Sequence, residues 1–117
     1  MTTELEAFKA VGEATRLRAL HLLIEAGTEL CACEIIDVLQ KPQYTVSKSL
    51  GILVRAGLLA ERREGRMMMY GLISTPTNEA LFGIVRNSTI DEELRGDGER
   101  LADRLARRVQ GQCVTGC

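Results

Sequence analysis

The sequence predicts a mainly α-helical fold interrupted by one β-hairpin, and three observations carry that reading. Apolar residues recur at three- and four-residue spacing through most of the chain, the period of a helix with one buried face. That period gives way to a two-residue alternation in one stretch only, "LLAERREGRMMMYGLI". Aromatic side chains are scarce, only Phe8, Tyr44, Tyr70 and Phe82, so the core must be built from Leu, Ile, Val and Ala. At 117 residues the chain makes one domain, large enough to hold a core without covalent staples. With 45% hydrophobic and 26% charged residues it has the profile of a soluble globular protein.

The elements follow in order. "LEAFKAVGE" sets Leu5, Phe8 and Val11 at helical spacing before Gly12 interrupts. "ATRLRALHLLIEAG" places Leu17, Leu20, Leu23 and Ile24 on one face, with Gly27 as the C-terminal stop. A short third helix, "CEIIDVLQ", turns Ile35, Ile36 and Leu39 inward and ends before Pro42, which disfavours helix in the residue preceding it. "YTVSKSLGILVRAG" is the fourth, with Val46, Leu50, Leu53 and Val54 apolar, Thr45 or Ser47 in its N-cap region and Gly57 as terminator. Two short strands then meet about a Glu-Gly turn. After Pro76, "TNEALFGIVRN" returns to helix. "DEELRGDGERLADRLARRVQ" spaces Leu94, Leu101, Leu105 and Val109 along a long amphipathic helix, weakened at its start by Gly96 and Gly98. Its stripe needs the body of the protein or a second copy to cover it.

Helix, tight connection, helix and hairpin in that order describe a winged helix-turn-helix, whose second helix enters the major groove of DNA. The charge distribution agrees. Residues 41–66 hold six basic residues against two acidic ones, whereas the rest of the chain holds nine against fourteen. A basic middle on an acidic body steers one face toward phosphate, although the net charge is only −1. The N-terminus lacks a basic region followed by an apolar run, and no stretch approaches a membrane span. The expected location is the cytoplasm, where thiols stay reduced. Four cysteines then favour metal or redox chemistry over a disulfide framework. Cys31 and Cys33 lie two apart in "ELCACEI", and Cys113 and Cys117 close the chain in "CVTGC".

"AVGEATRLRALHLL", "ELCACEI", "QYTVSKSLGILVRAGLL" and "RREGRMMMYGL" follow one another in an order and spacing that resembles the ArsR/SmtB metalloregulatory repressors. The resemblance runs from about residue 5 to residue 73. It implies a homodimer, formed through the terminal helices, that occupies double-stranded operator DNA and releases it when metal binds. The paired cysteines fall at the start of the first helix of the helix-turn-helix, where the arsenic-sensing branch carries a Cys-x-Cys motif. On that resemblance the fourth helix brings Gln43, Tyr44, Thr45, Ser47 and Lys48 to DNA. Polar side chains suit phosphate and base edges at a helix N-terminus, where free amides and the dipole also point. In the wing, Arg62, Arg63 and Arg66 flank the turn and reach the backbone.

Two thiolates are an incomplete site. Trivalent arsenic or antimony, the inducers the resemblance implies, take three sulfurs in a pyramid. Residues two apart on a regular helix diverge by about 200°, so ion binding at Cys31 and Cys33 would distort that turn. The family's further cysteine, three residues after the second of the pair, is replaced here by Ile36. The expected ligands are therefore Cys31 and Cys33 with Cys113 or Cys117, from the same subunit or the partner, and no organic cofactor. The organisation expected is a DNA-binding and dimerisation domain over residues 1–110 and a cysteine-bearing tail over 111–117.

Alternatives of the same fold are a cadmium or lead sensor using four thiolates, and a thiol redox switch joining Cys113 to Cys117. The single histidine, His21, lies among Leu20, Leu22 and Leu23 and reads as a core or edge residue. Met67, Met68 and Met69 read as packing on a strand. An enzyme is not expected: there is no Cys-x-x-Cys before a helix, no Cys/His pair close in sequence and no Gly-rich phosphate loop.

Overall fold

The computed structural model describes residues 3–88 and 92–109. Six helices and three short strands follow in the order α1 (Thr3–Val11), α2 (Ala14–Ala26), β1 (Leu30–Cys31), α3 (Ala32–Leu39), α4 (Gln43–Arg55), β2 (Leu59–Glu64), β3 (Met67–Leu72), α5 (Pro76–Arg86) and α6 (Glu92–Ala106). This is the mainly α, winged helix-turn-helix arrangement that the sequence predicts. No described helix is long and apolar enough to cross a membrane.

Helix ends are set by specific residues. Glu13 has extended backbone and its carboxylate accepts from the amides of Thr15 at 3.0 Å and Arg16 at 3.1 Å, capping α2. Arg16 Nε in turn donates to the Ala10 carbonyl at 2.6 Å, closing the end of α1. Gly27 stops α2 at φ 65°, as expected. α3 ends earlier than Pro42 would require, at Leu39, because Gln40 adopts a left-handed conformation (φ 56°) and returns its amide to the Ile36 carbonyl. α4 begins at Gln43, with Pro42 rather than Thr45 or Ser47 at the N-cap. Thr75 Oγ1 caps α5 through the Asn78 amide at 3.0 Å, and Pro76 opens the helix where its missing N–H costs nothing.

The sheet has the order β1-β3-β2, all antiparallel. Glu64 pairs with Met67, so the hairpin turns on Gly65 and Arg66 rather than on Glu64 and Gly65. Only Gly65 of the two takes positive φ (62°), as in the primed turns that match strand twist. β1 is absent from the sequence reading. Its two residues pair Leu30 with Tyr70 and Cys31 with Met69. Asn78 holds the hairpin to α5, donating to the carbonyls of Gly57 at 3.0 Å and Ile73 at 2.9 Å.

The core is aliphatic, as the composition requires: Leu20, Leu22, Leu23, Leu30, Ile35, Leu50, Leu53 and Leu58 are buried, with Phe82 beside them. His21 is buried within this shell, its Nε2 3.5 Å from Glu25 Oε1. α6 docks differently. Leu94 and Leu101 are buried, but so are Asp97 and Arg104, while Val109 lies beyond the helix and is 62% exposed. Asp97 is fully buried and accepts two bonds from Arg18 on α2 at 2.9 Å and one from Arg100 at 2.7 Å.

The Glu13 carboxyl is held below its ordinary value chiefly by the Thr15 amide, against a partial rise from burial, with further lowering by the Arg16 amide and charge. Its contribution is therefore present above about pH 4.5 and is lost as pH falls through the depressed value. Glu13→Ala should cost about 1 kcal/mol at pH 7 in urea unfolding, with the deficit shrinking in acid. Asp97→Ala removes the buried carboxylate that Arg18 and Arg100 share and should cost about 3 kcal/mol, read as a fall in Tm.

Candidate DNA-binding and thiol site

α4 crosses one edge of the molecule as the second helix of the helix-turn-helix. Val46, Ser49, Leu50 and Leu53 bind it to the core, which turns Gln43, Tyr44, Ser47 and Lys48 outward at i, i+1, i+4 and i+5. Thr45 is half-buried and Tyr44 is 77% exposed. Pro42 supplies no side-chain cap. The amides of the first turn are thus open to an anion, since the first four N–H groups of a helix lack internal partners.

The wing arginines are not equivalent. Arg63 and Arg66 are exposed and make no ion pair among the described residues. Arg62 grips Glu29, its Nε donating to both carboxylate oxygens at 3.0 Å and its Nη2 to Oε1 at 2.6 Å. Hydrogen bonding to Arg62, against a small rise from burial, holds the Glu29 carboxyl below its ordinary value. Gly71 makes room for this: a Cβ there would stand 3.2 Å from Glu29 Cγ.

The thiols sit where chain direction changes. Cys31 is not on the helix. It is the last residue of β1 and the N-cap of α3, with φ −82° and ψ 157°. The 200° divergence expected of two residues on one helix therefore does not apply, because the N-cap is extended. Cys31 is buried opposite Met69 and is a free thiol, whereas Cys33, in the first turn of α3, is half-buried with its sulfur in a disulfide. The two are not bonded to each other. Cys113 and Cys117 lie outside the described residues. Among the described residues no three His, Cys, Asp or Glu side chains gather to hold a metal ion.

Three residues at this site escaped the sequence reading: Glu29, Glu34 and Arg108. Glu34 is fully buried. Its Oε1 accepts the Cys31 amide at 3.0 Å, completing a capping box in which the Cys31 side chain faces the Glu34 amide. Arg108 meets the same carboxylate with two charge-assisted bonds, Nε to Oε2 and Nη2 to Oε1, each 2.7 Å, and donates to the Glu29 carbonyl at 2.9 Å. Burial alone would raise the Glu34 pKa. The Arg108 bonds, the Cys31 amide and the charges of Arg108 and Arg104 outweigh it, and the net shift is downward. A signal for Glu34 was present, because "CACE" has the spacing of a capping box with cysteine in place of serine or threonine.

A helix-turn-helix with an outward polar second helix and a basic wing defines a DNA-binding transcriptional regulator, which is not an enzyme. Residues 13–61 match the family of bacterial regulatory proteins, arsR family. An uncharacterized helix-turn-helix-type transcriptional regulator of Methanocaldococcus jannaschii is 45% identical over 65% of this chain and 84% of its own length. The arsenic resistance transcriptional regulator ArsR1 of Pseudomonas putida is 35% identical over 82% of this chain and 75% of its own. Among solved structures, HlyU from Vibrio cholerae superposes with TM-score 0.65 at 28% identity, over 73% of this chain and 89% of that one. The chain belongs to the ArsR family of transcriptional repressors.

Proposed function

We propose that this chain is an arsenic-responsive repressor. It binds operator DNA as a homodimer and releases it when As(III) or Sb(III) is captured by Cys31, Cys33 and one of Cys113 and Cys117, controlling an arsenic-resistance operon in the cytoplasm. The observation that carries the reading is the position of Cys31 and Cys33, which bracket the junction where β1 becomes the first helix of the helix-turn-helix. Once the Cys33 disulfide is reduced, the donor set fits a soft ion, since thiolate sulfur selects thiophilic metals over hard cations. When bound, the ion supplies bonds to sulfur that replace the thiol protons. An ion held by both sulfurs acts on the N-cap and first turn of α3, against which α4 is packed, and reaches the DNA face through whatever reshaping of that turn it favours. Release occurs only if the ion prefers the reshaped state.

Support comes also from similarity to the arsenical resistance operon repressor of Escherichia coli, 37% identical over 58% of this chain and 57% of its own length. A CadC homologue of Staphylococcus aureus, a cadmium resistance regulator, is 31% identical over 57% of this chain and 54% of its own, which keeps cadmium or lead as the runner-up. Dimerisation through the terminal helices is supported by Leu5 (42% exposed) and Phe8 (57%) on α1. We assign residues 1–110 to the DNA-binding and dimerisation domain and 111–117 to the tail that completes the thiol site.

A redox reading has one observation behind it, a disulfide at Cys33, whereas the expected pair, Cys113 and Cys117, lies outside the described residues. In that reading hydrogen peroxide takes two electrons and two protons from a pair of thiols, leaving a disulfide and two molecules of water. A solved structure similar to this chain, at TM-score 0.66 and 27% identity over 76% of this chain and 90% of that one, is of reduced HlyU. Operator release by peroxide without metal would favour it.

On the DNA side, Gln43, Tyr44, Thr45, Ser47 and Lys48 enter the groove and Arg62, Arg63 and Arg66 meet phosphate. The slope of log affinity against log salt should be on the order of −5 to −9 per dimer. Arg63→Ala and Arg66→Ala should each flatten it by about one for every phosphate no longer neutralised. Arg62→Ala should change it less, because Glu29 already neutralises that charge. An unchanged slope in the Arg63 and Arg66 variants would remove the wing from the interface.

For the metal, anisotropy of a labelled operator should show Cys31→Ser and Cys33→Ser binding DNA normally but failing to release it with arsenite. The Cys113→Ser/Cys117→Ser double variant should fail likewise. Release surviving in the double variant would remove the tail from the site.

A further inference from the structure

We propose that His21 and Glu25 on α2 form a second ion site, separate from the thiols, for a borderline divalent transition cation such as zinc. The inference stands independently of the thiol reading.

His21 is the one histidine of the chain, and only 3% of its side chain is exposed. Both ring nitrogens are shut off from water, and neither makes a hydrogen bond among the described residues. A neutral imidazole carries a donor at one nitrogen and an acceptor at the other, so burying both without partners is costly. A leucine or methionine would fill the same space without that cost. A buried polar group of this kind calls for a partner beyond the packing around it. There is room for one. With Glu25, Leu94, Arg95 and Gly98, His21 lines a cavity of about 280 Å³ between α2 and α6. A Cβ at Gly98 would meet nothing within 4 Å, so the α6 side of the cavity stays open.

The walls select the chemistry of the partner. Glu25 follows His21 by four residues and so shares its face of α2. Its carboxylate is 41% exposed and has no lysine or arginine partner among the described residues. Glu25 Oε1 stands 3.5 Å from His21 Nε2. That is long for an N–H···O bond, whose usual range ends near about 3.2 Å. It is close to the spacing of two ligands on one tetrahedral ion, since donors about 2.1 Å from zinc stand about 3.4 Å apart. Two ligands four apart on one helix face is also a spacing at which helices hold zinc. An imidazole nitrogen with a carboxylate oxygen suits zinc, nickel or cobalt, whereas magnesium and calcium take oxygen throughout. Asp97 is not a third ligand, because Arg18 and Arg100 occupy its oxygens. Water completes the coordination, and binding at Nε2 keeps the ring proton on Nδ1. Arg95 is exposed, so solvent screens its charge from the ion.

A single histidine makes the test specific, because imidazole signals report this site alone. Full-length protein carrying isotope-labelled histidine is titrated at neutral pH with zinc and, separately, with magnesium, and Nε2 is followed by NMR. Zinc should shift Nε2 saturably, and magnesium at the same concentration should leave it in place. Glu25→Gln changes an exposed side chain, so it should keep the fold but need at least tenfold more zinc for the same shift. The Cys31→Ser/Cys33→Ser/Cys113→Ser/Cys117→Ser chain should respond as the wild type does. An Nε2 signal unmoved by millimolar zinc would overturn the site. So would an equal response to magnesium, a Glu25→Gln response identical to wild type, or loss of the response along with the thiols. Operator release by arsenite is read separately, so the thiol reading stands or falls on its own variants.

Discussion

One buried carboxylate ties the start of the DNA-binding motif to the end of the last described helix. Glu34 cannot be hydrated where it stands, so its charge is stable only while protein donors surround it. Those donors are the Cys31 amide, at the junction of β1 and α3, and the guanidinium of Arg108, just past α6. Remove either and the carboxylate is left in a place that does not tolerate it. The start of the DNA-binding motif and the end of the last helix are therefore held to one geometry.

The neighbouring pair, Glu29 with Arg62, links the wing to the same turn with both side chains open to solvent. Glu29 uses its side chain for Arg62 and its carbonyl for Arg108. Wing, thiol turn and α6 thus converge within a few residues of Cys31. The α2–α6 contact is built alike, with Asp97 holding Arg18 and Arg100.

Much of the fold is legible in the sequence because it rests on local rules. Helical periodicity places α2, α4 and α5, Gly27 stops α2, and the change of period marks the hairpin. The departures share one cause. β1 is two residues long and exists only because β3 lies beside it, so no local pattern announces it. Spacing alone accordingly makes Cys31 helical when it is extended. Spacing also makes Val109 the end of an apolar stripe, but the chain leaves the helix at Ala106 to bring Arg108 to Glu34.

The sequence by itself determined the class of protein: an aliphatic helical core, a helix-turn-helix with a basic wing, and a pair of thiols at its first helix. These arise from spacing and composition, which act between near neighbours. Only the tertiary structure decided which of the wing and core charges are spent. Arg62 is neutralised while Arg63 and Arg66 are not, and the buried acids Glu34 and Asp97 find arginines 74 and 79 residues away. Ion pairs between distant residues leave no periodic trace, because a charge is satisfied by whatever the fold brings to it.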